Sequence, residues 1–197
     1  MKIQRYHQLL VLLAGLSVAG VAQAHPGHMY GPTWIAGFIH PFTGLDHITA
    51  MVAVGLWAAQ QGGRARWSLP LAFLAMMATG AALGLAGVSL PGVEPMIAAS
   101  VLVLGFMISL SRRVPLAVSA SLVGAFGMWH GYAHGIEFAG GSMSMATEFV
   151  VGFLSASALL HGVGLLAGSL AQRRFGGLLR AGGVAIGAIG VLLLAGL

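Results

Sequence analysis

From Trp34 to the C-terminus, apolar residues fall into six long blocks rather than into strict alternation or a narrow amphipathic stripe. The blocks run about Trp34–Ala59, Ser68–Ala86, Glu94–Leu110, Val114–Glu137, Thr147–Leu170 and Leu178–Leu197. Each is near the roughly 20 residues that carry an α-helix across the hydrocarbon of a bilayer. Turn chemistry or charge separates them: Gln60 to Arg66, Ser89-Leu90-Pro91-Gly92, Ser111-Arg112-Arg113, Gly140-Gly141-Ser142, and Gln172 to Gly177. The pattern predicts an all-α, polytopic membrane bundle of six transmembrane helices, forming one domain over residues 25–197.

A different pattern precedes it. Lys2 and Arg5 are followed by an apolar stretch from Leu9 to Val21 and then by Ala22-Gln23-Ala24. This is the order of a cleavable signal peptide: a positive start, an apolar middle and a small-x-small cleavage site. Residues 1–24 are expected to be removed, leaving His25-Pro26-Gly27-His28 at the new N-terminus, outside the cytoplasm.

Composition agrees with the blocks. Charged residues make up 7% of the chain and hydrophobic residues 58%, with a mean hydropathy of +0.92. A soluble domain carries about a quarter of its residues as charges, so this chain belongs in lipid. Its 31 glycines fit close packing of membrane helices. The absence of cysteine excludes disulfides, thiolate metal sites and iron–sulfur clusters. A pI near 10.8 would fit nucleic acid, but the basic residues stand in pairs between apolar runs and form no continuous face for phosphates. Nucleic acid is therefore not an expected partner.

The placing of those basic residues sets the topology. Arg64 and Arg66 follow the first block, Arg112 and Arg113 the third, and Arg173, Arg174 and Arg180 the fifth. All seven lie in or directly beside alternate connections, on one side of the membrane, and the positive-inside rule makes that side cytoplasmic. The mature N-terminus then lies outside, where a signal peptide would leave it. In a bacterium this is an inner-membrane protein with a periplasmic N-terminus.

Ionisable residues inside a membrane are costly and point to function. The first block holds His40-Pro41-Phe42-Thr43-Gly44-Leu45-Asp46-His47. Residues seven apart are nearly eclipsed on a helix, so His40 and His47 share a face. Pro41 and Gly44 loosen the helix between them, and a broken helix is a common way to build a midplane site. Asp46 offers an oxygen ligand or orients a histidine from behind. The fourth block holds His130-Gly131-Tyr132-Ala133-His134-Gly135-Ile136-Glu137. His130, His134 and Glu137 form one stripe, and two imidazoles one turn apart can chelate one divalent ion. Gly131 and Gly135 would admit a neighbouring helix. His161 stands alone in the fifth block, either as a ligand or as an interhelical hydrogen-bonding residue, and Glu148 reads as an interfacial residue. Taking each block as one straight helix, His47 and His161 lie about 20 Å from the outer ends of theirs, and His130 about 10 Å.

Imidazole suits nickel, cobalt, copper and zinc, so ligand type alone leaves the metal open. The nitrogen and oxygen ligands argue against Cu(I), whereas Met128, Met143 and Met145 near the outer surface offer thioethers. A relay can be written in which His25 and His28 gather the ion and pass it to His134, Glu137 and His130. From there it would move inward to His40, Asp46, His47 and His161. No nucleotide-binding motif is present, so a proton gradient, the membrane potential or downhill flow would drive movement. An intramembrane metal-dependent hydrolase is a competing reading, weakened because Gly131 occupies the place of the zincin glutamate. A haem-binding electron carrier and a metal-binding accessory protein that does not transport are others.

At these two motifs the chain resembles the HupE/UreJ family of bacterial membrane proteins, typified by HPxxGxDH in the first mature helix and HGxAHGxE in a later one. Both stand here in full, as His40 to His47 and His130 to Glu137, with Trp129 where the family often has Phe. The likeness extends over essentially the whole mature chain. It implies secondary uptake of nickel, or sometimes cobalt, in support of hydrogenase or urease, with no enzymatic activity and no prosthetic group. It also implies that His40, Asp46, His47, His130, His134 and Glu137 handle the metal. Expected partners are the divalent ion and the lipid bilayer, with a second copy of the chain or metalloenzyme maturation proteins left open.

Overall fold

The computed structural model describes residues 33–196, all of whose regular structure is helical. The expected signal peptide, His25 and His28 lie outside the described residues. Helix α1 (Trp34–Ile39) begins where the Thr33 hydroxyl accepts the Ala36 amide at 3.2 Å. It runs into a 3₁₀ turn, His40–Phe42, with Pro41 at a position where no amide proton is needed. Extended backbone at Gly44 then opens α2 (Leu45–Gln61). The two pieces meet at 81°. Pro41 and Gly44 thus turn the first block sharply rather than loosen it. This corrects its expected depth: His47 is not thirteen residues down a straight helix but in the first turn of α2.

The other helices are α3 (Ala65–Leu85), α4 (Val93–Leu110), α5 (Leu116–Glu137), α6 (Met143–Arg174) and α7 (Gly176–Leu194). Helix α6 is longer at both ends than the apolar block it contains. At 32 residues it extends about 48 Å, well beyond a hydrocarbon layer of about 30 Å. Four helices, α3, α4, α6 and α7, are long and apolar enough to cross a membrane, and the bent α1–α2 pair makes up to five. Helix α5 has 22 residues but falls short of that apolarity, because His130, Tyr132, His134 and Glu137 crowd its second half.

In lipid, helices gain little from hiding apolar side chains from water, so close backbone approach holds them together. Glycine provides it along three seams. Where α3 crosses α5, Gly127, Gly131 and Gly135 lie against the main chain of Phe73, Met77 and Ala81, and Gly80 and Gly84 lie against α5 in return. Gly37 of α1, Gly55 of α2, and Gly152 and Gly164 of α6 do the same between the broken pair and α6. Gly105 of α4 meets Gly183 and Gly187 of α7. Exchanging the two halves of the chain turns the pairing of α2 with α6 into that of α5 with α3, and leaves the pairing of α4 with α7 unchanged. The seams enclose a core of Trp57, Leu69, Phe73, Met77 and Phe153.

Hydrogen bonds tie the arginine-bearing connections together at one end. The Gln61 side chain donates to the Arg112 carbonyl at 2.8 Å and accepts the Val114 amide at 3.0 Å. Arg113 donates to the Gln61 carbonyl, and Arg180 to that of Ser109 at 3.1 Å. At the opposite end Tyr132 accepts the Leu90 amide at 3.1 Å, and the Trp129 indole donates to the Pro91 carbonyl at 3.3 Å. The basic loops share one end, as the alternation of charge predicts.

A β-carbon at Gly80 would run into the Met128 carbonyl, whereas one at Gly162 of α6 meets nothing within 4 Å. Gly80→Val is expected to destabilise the bundle by about 2 kcal/mol or more through overpacking. Gly162→Ala should be neutral or stabilise by up to about 1 kcal/mol. Thermal unfolding of the two variants in detergent, followed by circular dichroism, checks the contrast.

Candidate metal centre

The break in the first span creates one side of the site. Asp46 sits in the first turn of α2, where a carboxylate is favoured by the amino-terminal end of the helix dipole. Its Oδ1 accepts the His47 backbone amide at 2.8 Å and lies 2.8 Å from His47 Nδ1. A carboxylate only accepts, so His47 carries its proton on Nδ1 and presents the lone pair of Nε2. Gly44 makes room for this pair. A β-carbon there would stand 2.6 Å from Asp46 Oδ1 and 3.1 Å from His47 Nδ1.

Helix α5 supplies the other side. His130, His134 and Glu137 share one stripe, as their spacing predicts. His134 is buried, and its Nε2 lies 2.8 Å from Nε2 of His47. A Glu137 carboxylate oxygen stands 3.6 Å from His134 Nδ1, within ion-pair range though longer than a hydrogen bond. His40, on the 3₁₀ turn, places its ring centroid 4.3 Å from that of His134 and 5.5 Å from that of His47. The ligand atoms of His40, His47 and His134 all lie within 4.8 Å of one another.

The order Asp46, His47, His134, Glu137 has a chemical consequence. Asp46 fixes the proton of His47 on Nδ1, so the Nε2 lone pair of His47 faces Nε2 of His134, with Glu137 on the far side of that ring. A proton or a cation must lie between the two nitrogens. A shared proton does this at 2.8 Å. A metal ion would do it as well, since adjacent imidazole nitrogens on an octahedral ion at about 2.1 Å are about 3.0 Å apart. His40 would be a third nitrogen ligand, and the two carboxylates would orient the imidazoles from behind.

His130 adjoins this group without belonging to the three. Its ring is 5.3 Å from that of His47, and its Nδ1 donates to the Phe126 carbonyl at 2.9 Å. Its Nε2 is buried and has no hydrogen-bond partner among the described residues. The two sequence motifs therefore form one cluster and not two successive stations.

Aromatic rings wall the cluster, a feature the sequence reading missed. Phe153 of α6 packs 4.6 Å from the ring of His134 and 5.7 Å from that of His47, and Phe149 lies 5.6 Å from His40. Their one-turn spacing on the fifth apolar block was the available signal, but it is equally the spacing of ordinary packing residues. Phe73 of α3 closes the far side, 5.3 Å from His130. Glu148 is exposed, and Met143 and Met145 are exposed at the start of α6. His161 is buried away from the three-histidine group, with Nδ1 donating to the Met51 carbonyl at 2.8 Å.

The family model described as HupE / UreJ protein matches residues 11–193. "Protein HupE" of Rhizobium leguminosarum bv. viciae is 42% identical over 196 residues, covering 98% of this chain and 100% of the relative. No solved structure matches.

Gly44→Ala tests how the carboxylate–imidazole pair is built. The protein is expected to fold, because the clash falls on a side chain that can turn aside. The Asp46–His47 hydrogen bond is expected to break. Proton NMR of the His47 Nδ1–H should then lose the downfield position of a carboxylate-bonded imidazole.

Proposed function

The chain belongs to the HupE/UreJ family, and on that premise we propose that it is a secondary uptake transporter for a divalent transition metal, nickel or alternatively cobalt, supplying the maturation of hydrogenase or urease. The observation that carries this reading is the 2.8 Å approach of His47 Nε2 to His134 Nε2, with a carboxylate behind each ring. Such a pair takes up a cation without rearranging its supports.

In this reading the bent α1–α2 pair and α5 each cross the bacterial inner membrane with the four more apolar helices, giving six spans. The arginine end faces the cytoplasm, and the N-terminus, freed of residues 1–24, faces the periplasm. Glu137, half exposed at the end of α5, meets the arriving ion. His134, His40 and His47 bind it, Asp46 holds His47 in register, and His130 takes it onward. Moderate imidazole sites allow ligand exchange and passage, where one very tight site would trap the ion. A divalent cation moving inward gains about 4.6 kcal/mol from 100 mV of membrane potential, twice the figure for a single charge, so no nucleotide is required. The chain acts on the ion by binding and release and catalyses no covalent change.

His134→Ala is expected to abolish nickel accumulation by cells while the protein still reaches the membrane. Asp46→Asn should weaken binding by about 10- to 100-fold, the usual cost of losing a supporting carboxylate. Uptake of radioactive nickel, with membrane abundance measured in parallel, checks both. Normal accumulation by His134→Ala would sink the role of the three-histidine site, and nickel accumulation no greater with the native chain than without it would sink the transport reading.

A further inference from the structure

Among the described residues, one histidine lies beyond the outer cluster. His161 of α6 is 1% exposed. Its Nδ1–H is held by the Met51 carbonyl at 2.8 Å, which fixes the lone pair on Nε2, and that nitrogen has no hydrogen-bond partner among the described residues. A buried polar atom left in this condition calls for a ligand or another explanation. His130 is held in the same manner, by the Phe126 carbonyl, and its Nε2 is likewise without a partner. One side chain lies between the two rings: Phe73 stands 5.3 Å from His130 and 5.1 Å from His161.

His161 also lines a cavity of about 180 Å³ between α3 and α6, with Arg66, Pro70, Leu74 and Leu165. The cavity extends toward the start of α3, the end of the bundle that carries the arginines. Pro70 has no amide proton, so the carbonyl of Arg66, one turn earlier, has no helical donor and remains available as an oxygen ligand. Gly162 keeps the neighbouring wall open, since a β-carbon there meets nothing within 4 Å.

We propose that His161 is an inner transit site for the divalent metal, reached from His130 past the Phe73 ring and discharging through the α3–α6 cavity toward the arginine-bearing end. The proposal rests on the transport reading above and extends it from capture to release. One imidazole, main-chain oxygen and water make a weaker site than three imidazoles. The exposed Arg66 guanidinium beside the cavity disfavours a resting cation. Both properties suit a site that lets go.

The test uses the full chain in liposomes that contain a nickel-sensitive dye, with Ni²⁺ added outside. His161→Asn keeps a donor for the Met51 carbonyl and removes Nε2. It is expected to cut the initial rate of nickel entry at least tenfold while leaving equilibrium nickel binding by the detergent-solubilised protein unchanged. His134→Ala is expected to lose both. Entry at the native rate in His161→Asn overturns the inner site and leaves the outer one standing; native entry in His134→Ala overturns the three-histidine site, and native protein that admits nickel no faster than protein-free liposomes overturns the transport reading itself. A second measurement separates a ligand from a packing residue. Because the chain contains no cysteine, His161→Cys introduces the only thiol. Addition of Co²⁺ should then produce a near-ultraviolet thiolate-to-cobalt band that the native protein lacks. Absence of that band overturns the assignment even if His161→Asn fails to fold.

Discussion

Two imidazole nitrogens facing each other at 2.8 Å inside an apolar bundle are the constraint around which this protein is arranged. With Asp46 holding the His47 proton on Nδ1, the two Nε2 atoms must share a proton or hold a cation between them. The rest of the architecture maintains that condition. The 81° bend puts His47 in a first helical turn, Gly44 clears space for the Asp46–His47 hydrogen bond, and Phe149 and Phe153 pack against the rings. Where His47, His130 and His134 are buried, electrostatic interactions are strong and an uncompensated lone pair is costly.

Holding helices this close requires glycine. The seam between α3 and α5 is main chain against main chain, so Gly131 and Gly135 serve the packing of the helix whose His130 and His134 serve the site. The motif on α5 therefore encodes two things at once: glycines on the face that meets α3, and imidazoles on the face that meets the broken first span. Moving either face by one residue would separate the rings from their partners.

Much of this was legible beforehand. The alternating placement of Arg64 to Arg66, Arg112 and Arg113, and Arg173 to Arg180 predicted one basic end, and Gln61, Arg113 and Arg180 are hydrogen-bonded at it. His130, His134 and Glu137 share a stripe because spacing on an unbroken helix determines the face. The first motif was harder to read, since periodicity presumes a continuous helix. Once Pro41 and Gly44 turn the chain, His40 and His47 meet across a corner, and the depth of His47 changes with it. Depths along straight helices let the histidines of both motifs line one cavity, but their packing into one cluster was not legible, because no local pattern records which helices pack together. Phe73 escaped notice for a related reason: an isolated phenylalanine in an apolar block has no distinguishing spacing, and its place between His130 and His161 is purely tertiary.

The account turns on a cation held by imidazoles from both motifs. Nickel-edge X-ray absorption of the nickel-loaded protein tests this most directly. It should show a nitrogen shell at about 2.1 Å with the outer-shell scattering of at least two imidazoles. That scattering should diminish in His47→Ala and in His134→Ala alike, since the two rings belong to different motifs but to one site. A shell of oxygen alone, or imidazole scattering that neither substitution alters, would contradict it.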